Sequence, residues 1–251
     1  MKTYSKKAPK TLASLRKTRK SLQRIEKMIV PIEEENIRKN FYNWFEKEKK
    51  NLDSLESRIQ STFPERLYNE LYSYNLKLEG HIPNLKTGYY VLNINFNNNQ
   101  CKIYYGPDKE LIAKLKINAE QIANYIVQHK NDLEKSYESY DNLINHLEKA
   151  YSNVTQKFDK TLDKKAPIIE VMHEIAKEKA ITDTQKKPPK YGRIQFSYDL
   201  SRLLRNPSDQ IRIKLSTATR AQARSRKNYL WIPKNERGDG AIYSHIEVIK
   251  E

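Results

Sequence analysis

The chain has 251 residues, 37% of them apolar and 31% charged, with a net charge of +16. Apolar content this low, against a usual ~45–50% with glycine included, predicts an elongated shape whose thin helical elements expose much of their surface. The lone Cys101 excludes an internal disulfide and points to a reducing, cytoplasmic setting, and no window nears the ~18 apolar residues of a spanning helix.

Leu12, Leu15, Leu22, Ile25, Ile29 and Ile32 recur at helical spacing, and the pattern resumes with Ile37, Phe41, Trp44, Leu52, Leu55 and Ile59. Pro31 should kink or restart this helix, because it lacks a backbone donor and clashes with the preceding turn. Pro64 predicts a second break, followed by a short helix through Leu67, Leu71 and Tyr74. From residue 76 the period becomes two. LKLEGHI, YYVLNINF, CKIYYG and LIAKLKI read as strands of a small meander, with Asn97, Asn98 and Asn99 as a turn.

Asn118 is placed to cap a helix carrying Ile122, Ile126, His129, Leu133, Tyr137, Tyr140, Ile144, Leu147, Tyr151, Val154 and Phe158. Those spacings of three and four make a coiled-coil seam with one stutter. A stripe so long and narrow needs a partner helix, for which the first helical block or a second chain would serve. APIIEVMHEIAKEKA predicts a further helix, and TDTQKKPPK a linker. RIQFSYDL, IRIKLST, NYLWIP and AIYSHIEVI are read as strands, with a helical turn at SRLLRN.

The expected fold is therefore α+β: a long antiparallel coiled-coil helical hairpin with a small β-meander inserted at one end, plus a C-terminal, mainly antiparallel β domain. Its parts are a basic N-terminal arm (1–75), the meander (76–117), the second arm with a short helix (118–182), a Pro/Lys linker (183–191) and the basic β-rich domain (192–251).

Charge is segregated along the chain. Residues 1–29 and 186–251 each carry +9, so the middle must carry −2 to give +16. Two basic ends suit a polyanion, since each neutralised phosphate releases counterions. In the stretch TRAQARSRKNYLW, Arg220, Arg224, Arg226 and Lys227 would meet phosphates, while Tyr229 and Trp231 could stack on bases or simply fill a core. Lys17, Lys20, Arg24 and Lys27 form a second basic face, on a helix whose apolar side lacks the aromatics of a membrane-surface helix.

Catalysis has one candidate place. In AIYSHIEVI, Ile242, Ser244, Ile246 and Val248 should face the core, lining up Tyr243, His245 and Glu247 on the other face. With Arg224 or Arg226 nearby, these are the parts of a metal-independent ribonuclease, in which His245 and Glu247 would move protons. The outer face of an edge strand looks the same. No metal or cofactor is expected: Glu170 and His173 form a single Glu-x-x-His pair on a charged helix, and Gly-rich phosphate loops are missing. His129, on the seam, would set helix register. Arg237-Gly238-Asp239 reads as a hairpin turn.

These observations favour a non-enzymatic nucleic-acid-binding protein, DNA or RNA, that holds the phosphate backbone. A nuclease on the last strand, or a structural coiled-coil subunit with a protein partner or as a homodimer, are the alternatives.

Overall fold

Pro31 divides the first helical block as its missing donor requires, into α1 (Leu12–Ile29) and α2 (Glu35–Tyr72). These belong to a computed structural model that describes residues 12–107, 110–135, 140–157, 164–182, 191–207 and 211–250. Strands β1 (Glu79–His81), β2 (Asn84–Thr87), β3 (Tyr90–Asn95), β4 (Gln100–Tyr105) and β5 (Glu110–Leu115) follow and form one sheet in sequence order. Next come α3 (Ala119–Glu134), α4 (Tyr140–Lys157), β6 (Ala166–Pro167), α5 (Ile168–Thr182) and α6 (Arg193–Arg205). The chain ends with β7 (Ile211–Thr217), β8 (Leu230–Pro233) and β9 (Gly240–Lys250). The described residues thus make a mixed α+β fold of six helices and two small antiparallel sheets, interspersed through the chain.

This corrects the expected coiled-coil hairpin on three counts. The long seam is two helices, ending at Glu134 and restarting at Tyr140. In α4 the buried residues are Leu143, Ile144, Leu147, Ala150 and Val154, a stripe wider than a coiled-coil seam and suited to a globular core. The first helical block, for its part, pairs with itself: α1 packs on α2, and Arg19 reaches Asp53 at 2.6 Å and Glu56 at 2.8 Å.

The C-terminal region is likewise not a separate domain. One core cluster joins Leu147 and Val154 of α4, Val171 and Ile175 of α5, Phe196 and Leu200 of α6, Ile211 of β7, Leu230 of β8 and Ile246 of β9. The linker expected at 183–191 lies, except for Tyr191, outside the described residues, as do Tyr137 and Phe158 of the seam and the N-terminal lysines before residue 12.

RIQFSYDL is helix, not strand. Ile194, Phe196, Tyr198 and Leu200 alternate, but Phe196, Leu200 and Leu203 also fall at i, i+4 and i+7, and all three are buried. Pro64 does not end α2, which runs on to bury Leu67 and Leu71 completely. Elsewhere local chemistry acts as its residue types dictate. Asn99 takes φ 47° in the β3–β4 turn, and the Asn118 side chain accepts from the Gln121 amide at 2.9 Å as the cap of α3.

The chain divides into two compact units. The first draws on 1–85, 93–102 and 114–124, the second on 86–92, 103–113 and 125–251. In the first, Leu12, Leu15, Leu22 and Ile29 of α1 and Phe45, Leu52 and Phe63 of α2 are buried, Phe63 meets Phe96 edge-on, and Arg16 donates to the Phe96 and Asn97 carbonyls. In the second, β9 is the central strand of its sheet. It pairs with β7 along one edge and with β8 and β6 along the other.

Candidate nucleic-acid interface

The segment between β7 and β8 is two short 3-10 turns, Gln222–Arg224 and Arg226–Asn228. Thr219 and Gln222 cap each other: the Gln222 side chain accepts from the Thr219 amide at 2.8 Å, and the Thr219 hydroxyl accepts from the Gln222 amide at 3.3 Å. Ser225, in extended backbone, separates the turns and caps the second through its hydroxyl. At each end a strand fixes the loop, the Ala218 amide bonding the Ile242 carbonyl at 3.0 Å.

Beneath it sits Arg193, at the start of α6. Its Nε donates to Glu110 at 2.7 Å, Nη1 to the Arg226 carbonyl at 2.6 Å and Nη2 to the Tyr229 carbonyl at 2.9 Å. The guanidinium also lies 5.9 Å from the centre of the Tyr229 ring. One planar cation thus ties the loop's end to a strand carboxylate, which a point-like ammonium could not do in the same geometry. Nothing in the sequence singled out Arg193, because it began a segment read as strand.

Arg220, Arg224, Arg226 and Lys227 are all exposed. Arg226 is partly engaged, 3.5 Å from Glu110, whereas Arg220, Arg224 and Lys227 have no ion pair among the described residues. Tyr229 and Trp231 are only 8% and 5% exposed, and they anchor the loop's end in the core. Lys17, Lys20, Arg24 and Lys27 share the exposed side of α1, also without ion pairs among the described residues. Arg16 and Arg19, of the same residue type and helix, are spent on structure. Spacing alone could not sort these six cations.

A β-bulge breaks the alternation expected for the last strand. Ser216 pairs with His245 but Thr217 pairs with Tyr243, so β9 carries one extra residue there. Tyr243, opposite Leu230, consequently packs against the core, and His245 and Glu247 remain together on the other face. His245 Nδ1 lies 3.0 Å from the Ser244 hydroxyl, and Glu247 sits 3.9 Å from Lys214. The three residues therefore do not share one face. Glu170 and His173 are exposed on α5, and no cluster of three metal-ligating side chains occurs among the described residues.

His129 meets a different partner from the one its seam position suggested. Its Nδ1 lies 3.0 Å from the hydroxyl of Tyr90, which is 1% exposed and whose pKa burial raises, so the phenol donates and the neutral imidazole accepts. Burial lowers the pKa of His129, against a smaller opposing effect of Asp132, and burial and Lys165 lower that of His245. The unfolded chain then takes up protons at these sites at higher pH than the folded one. The stability they contribute is complete above the ordinary value of 6.5 and falls as pH drops through the folded values. The urea midpoint should accordingly decrease between pH 7.5 and 5.5, and less so in His129→Gln. The two carboxylates with lowered pKa values, Glu174 and Asp239, act below this window.

The structure so far defines a mixed α+β protein that presents cations from a braced loop and from one helix face, with no helix among the described residues long and apolar enough to cross a membrane. A scan against protein-family models, a search of curated proteins and a search of solved structures each found no match.

Proposed function

We propose that this chain is a non-enzymatic nucleic-acid-binding protein that grips the phosphate backbone. Arg220, Arg224 and Lys227 on the braced loop would make the contacts, Arg226 more weakly because Glu110 shares it, with Lys17, Lys20, Arg24 and Lys27 on α1 as a second set. The observation that carries this reading is the loop itself. Its backbone is capped, pinned to two strands and underlaid by Arg193, yet three of its cations have no acidic partner among the described residues. A braced loop loses little backbone freedom when its unpaired cations bind a polyanion, so more of the counterion-release energy appears as affinity.

Recognition would be directed at phosphates, because the aromatics next to the cations are buried rather than offered to bases. Binding to duplex DNA should then weaken with salt by roughly 0.9 log units of affinity per log unit of salt for each phosphate contacted. Replacing Arg220, Arg224, Arg226 and Lys227 by alanine should flatten that slope by roughly 3, and Arg226→Ala alone should change it least. Fluorescence anisotropy with labelled DNA and RNA at several salt concentrations measures both. A flat salt response of the wild type, or an unchanged slope in the folded fourfold variant, rejects the proposal.

A further inference from the structure

Within the first compact unit, the pairing of α1 with α2 leaves the start of α2 uncovered. The register of the two helices is fixed at two levels. Leu12 shares a cleft with Ile59 and Phe63, and Arg19 bonds Asp53 and Glu56, so the helices run antiparallel. Counted along both helices from these contacts, Ile29 at the end of α1 stands close to the level of Phe45. Phe45 is also the first buried residue of α2, which begins at Glu35. About ten residues of α2, roughly 15 Å at ~1.5 Å per residue, therefore extend past α1.

This overhang carries an apolar stripe of its own. Ile37, Phe41 and Trp44 fall at i, i+4 and i+7, on one face, and are 38–45% exposed. Met28 and Val30, at the end of α1, are more exposed still. Single exposed apolar residues are ordinary, but five around one helix end make a patch that calls for a cover. The charges around it indicate which. Residues 30–50 hold five acids and five bases, no net charge in a chain of +16, whereas a polyanion or an anionic membrane calls for an excess of cations. The charges are also sorted: Glu33, Glu34 and Glu35 precede the stripe, Lys47, Lys49 and Lys50 follow it, and all six are exposed. Lys49 stands 3.6 Å from Glu46, and the other five have no ion pair among the described residues. A face that is acidic before its stripe and basic after it complements itself when turned end for end, as a two-fold interface requires.

We propose that two copies of this chain pair antiparallel through the overhangs of α2, with Phe41 near the two-fold axis. Ile37 of each copy then lies beside Trp44 of the other, Glu35 faces Lys47, and Glu33 faces Lys49. Two such overhangs offer fewer than the ~20–30 residues a side of a standard interface, so dissociation is expected on the order of 10 µM. None of these residues belongs to the loop or α1 cations, so the inference goes beyond the phosphate-binding reading and is separable from it.

The test is sedimentation velocity from about 1 to 200 µM, on protein freed of nucleic acid by nuclease and a high-salt wash so that no strand bridges two copies. The wild type should pass from monomer to dimer over this range. Phe41→Asp, at an exposed site, should keep the circular dichroism of the fold and weaken dimerisation by about tenfold or more. Changing Glu33, Glu34 and Glu35 to lysine, or Lys47, Lys49 and Lys50 to glutamate, should each give a monomer, because like charges then meet at both ends. An equimolar mixture of these two variants should dimerise again, since each end of one copy then meets its opposite. A wild type that stays monomeric, a dimer that Phe41→Asp leaves intact, or charge variants that remain apart when mixed would overturn the proposal. Should a charge variant not fold, Phe41→Asp decides alone. A monomer that binds phosphatidylcholine vesicles through Trp44, with a blue shift of emission lost in Trp44→Phe, would also overturn it and assign the stripe to a membrane. Salt-dependent DNA binding by a monomer upholds the phosphate-binding reading alone, so either proposal can fail while the other stands.

Discussion

Trp231→Ala is expected to destabilise the fold by about 3–5 kcal/mol, the range for removing a large buried aromatic. The indole is 5% exposed, meets the Tyr105 ring edge-on at 5.4 Å, and has the backbones of Gly106 and Gly240 against it. None of these neighbours can close the resulting void without moving a strand. The Trp231 carbonyl also accepts from the buried Ser197 hydroxyl at 2.5 Å, so the collapse would reach α6. Urea unfolding followed by circular dichroism measures the effect. A base-stacking platform on the surface predicts the reverse pattern: unchanged stability and lost affinity for single strands. That result would show that Trp231 serves binding rather than packing.

Where the sequence pattern was decisive, a single local rule applied. The strand segments around Tyr90–Asn95, Gln100–Tyr105 and Ile211–Thr217 alternate apolar and polar residues over a length too short for a helix. The chain break at Pro31 and the cap at Asn118 each rest on one backbone or side-chain group. The pattern misled where two periods coexist. RIQFSYDL alternates, but its extension through Leu203 completes a helical face, and only packing against β8 decides between them.

The supposed seam misled for a related reason. An i, i+3/i+4 stripe looks alike whether it meets one partner helix or a core built from several elements. Leu143 and Ala150, which widen the stripe in α4, mark the difference. At the candidate sites the basic loop was visible from composition, but its bracing was not. Arg193 is 36 residues from Tyr229 and 83 from Glu110, and one-dimensional spacing carries no trace of such a contact. The bulge at Ser216 and Thr217 was equally hidden, since an extra residue in one strand is defined only against its neighbour.

Arg193→Ala tests how the loop is held. Losing the guanidinium leaves the Glu110 carboxylate, 22% exposed, without its close partner and releases the carbonyls of Arg226 and Tyr229. Breaking one side of a mostly buried, hydrogen-bonded pair costs about 2–3 kcal/mol here, below the figure for full burial because water still reaches both groups. Arg193→Lys should recover less than half of that, since an ammonium cannot direct three donors along the fork. Glu110→Ala combined with Arg193→Ala should be less destabilising than the sum of the single changes, because the second change removes the stranded charge. If the phosphate-binding reading holds, Arg193→Ala should also weaken nucleic-acid binding by about tenfold, through ordering of a loosened loop rather than a lost contact. Arg212→Ala removes the same charge from an exposed position on β7 and provides the control. Equal losses of affinity in the two variants would mean that net charge, and not the braced loop, governs binding.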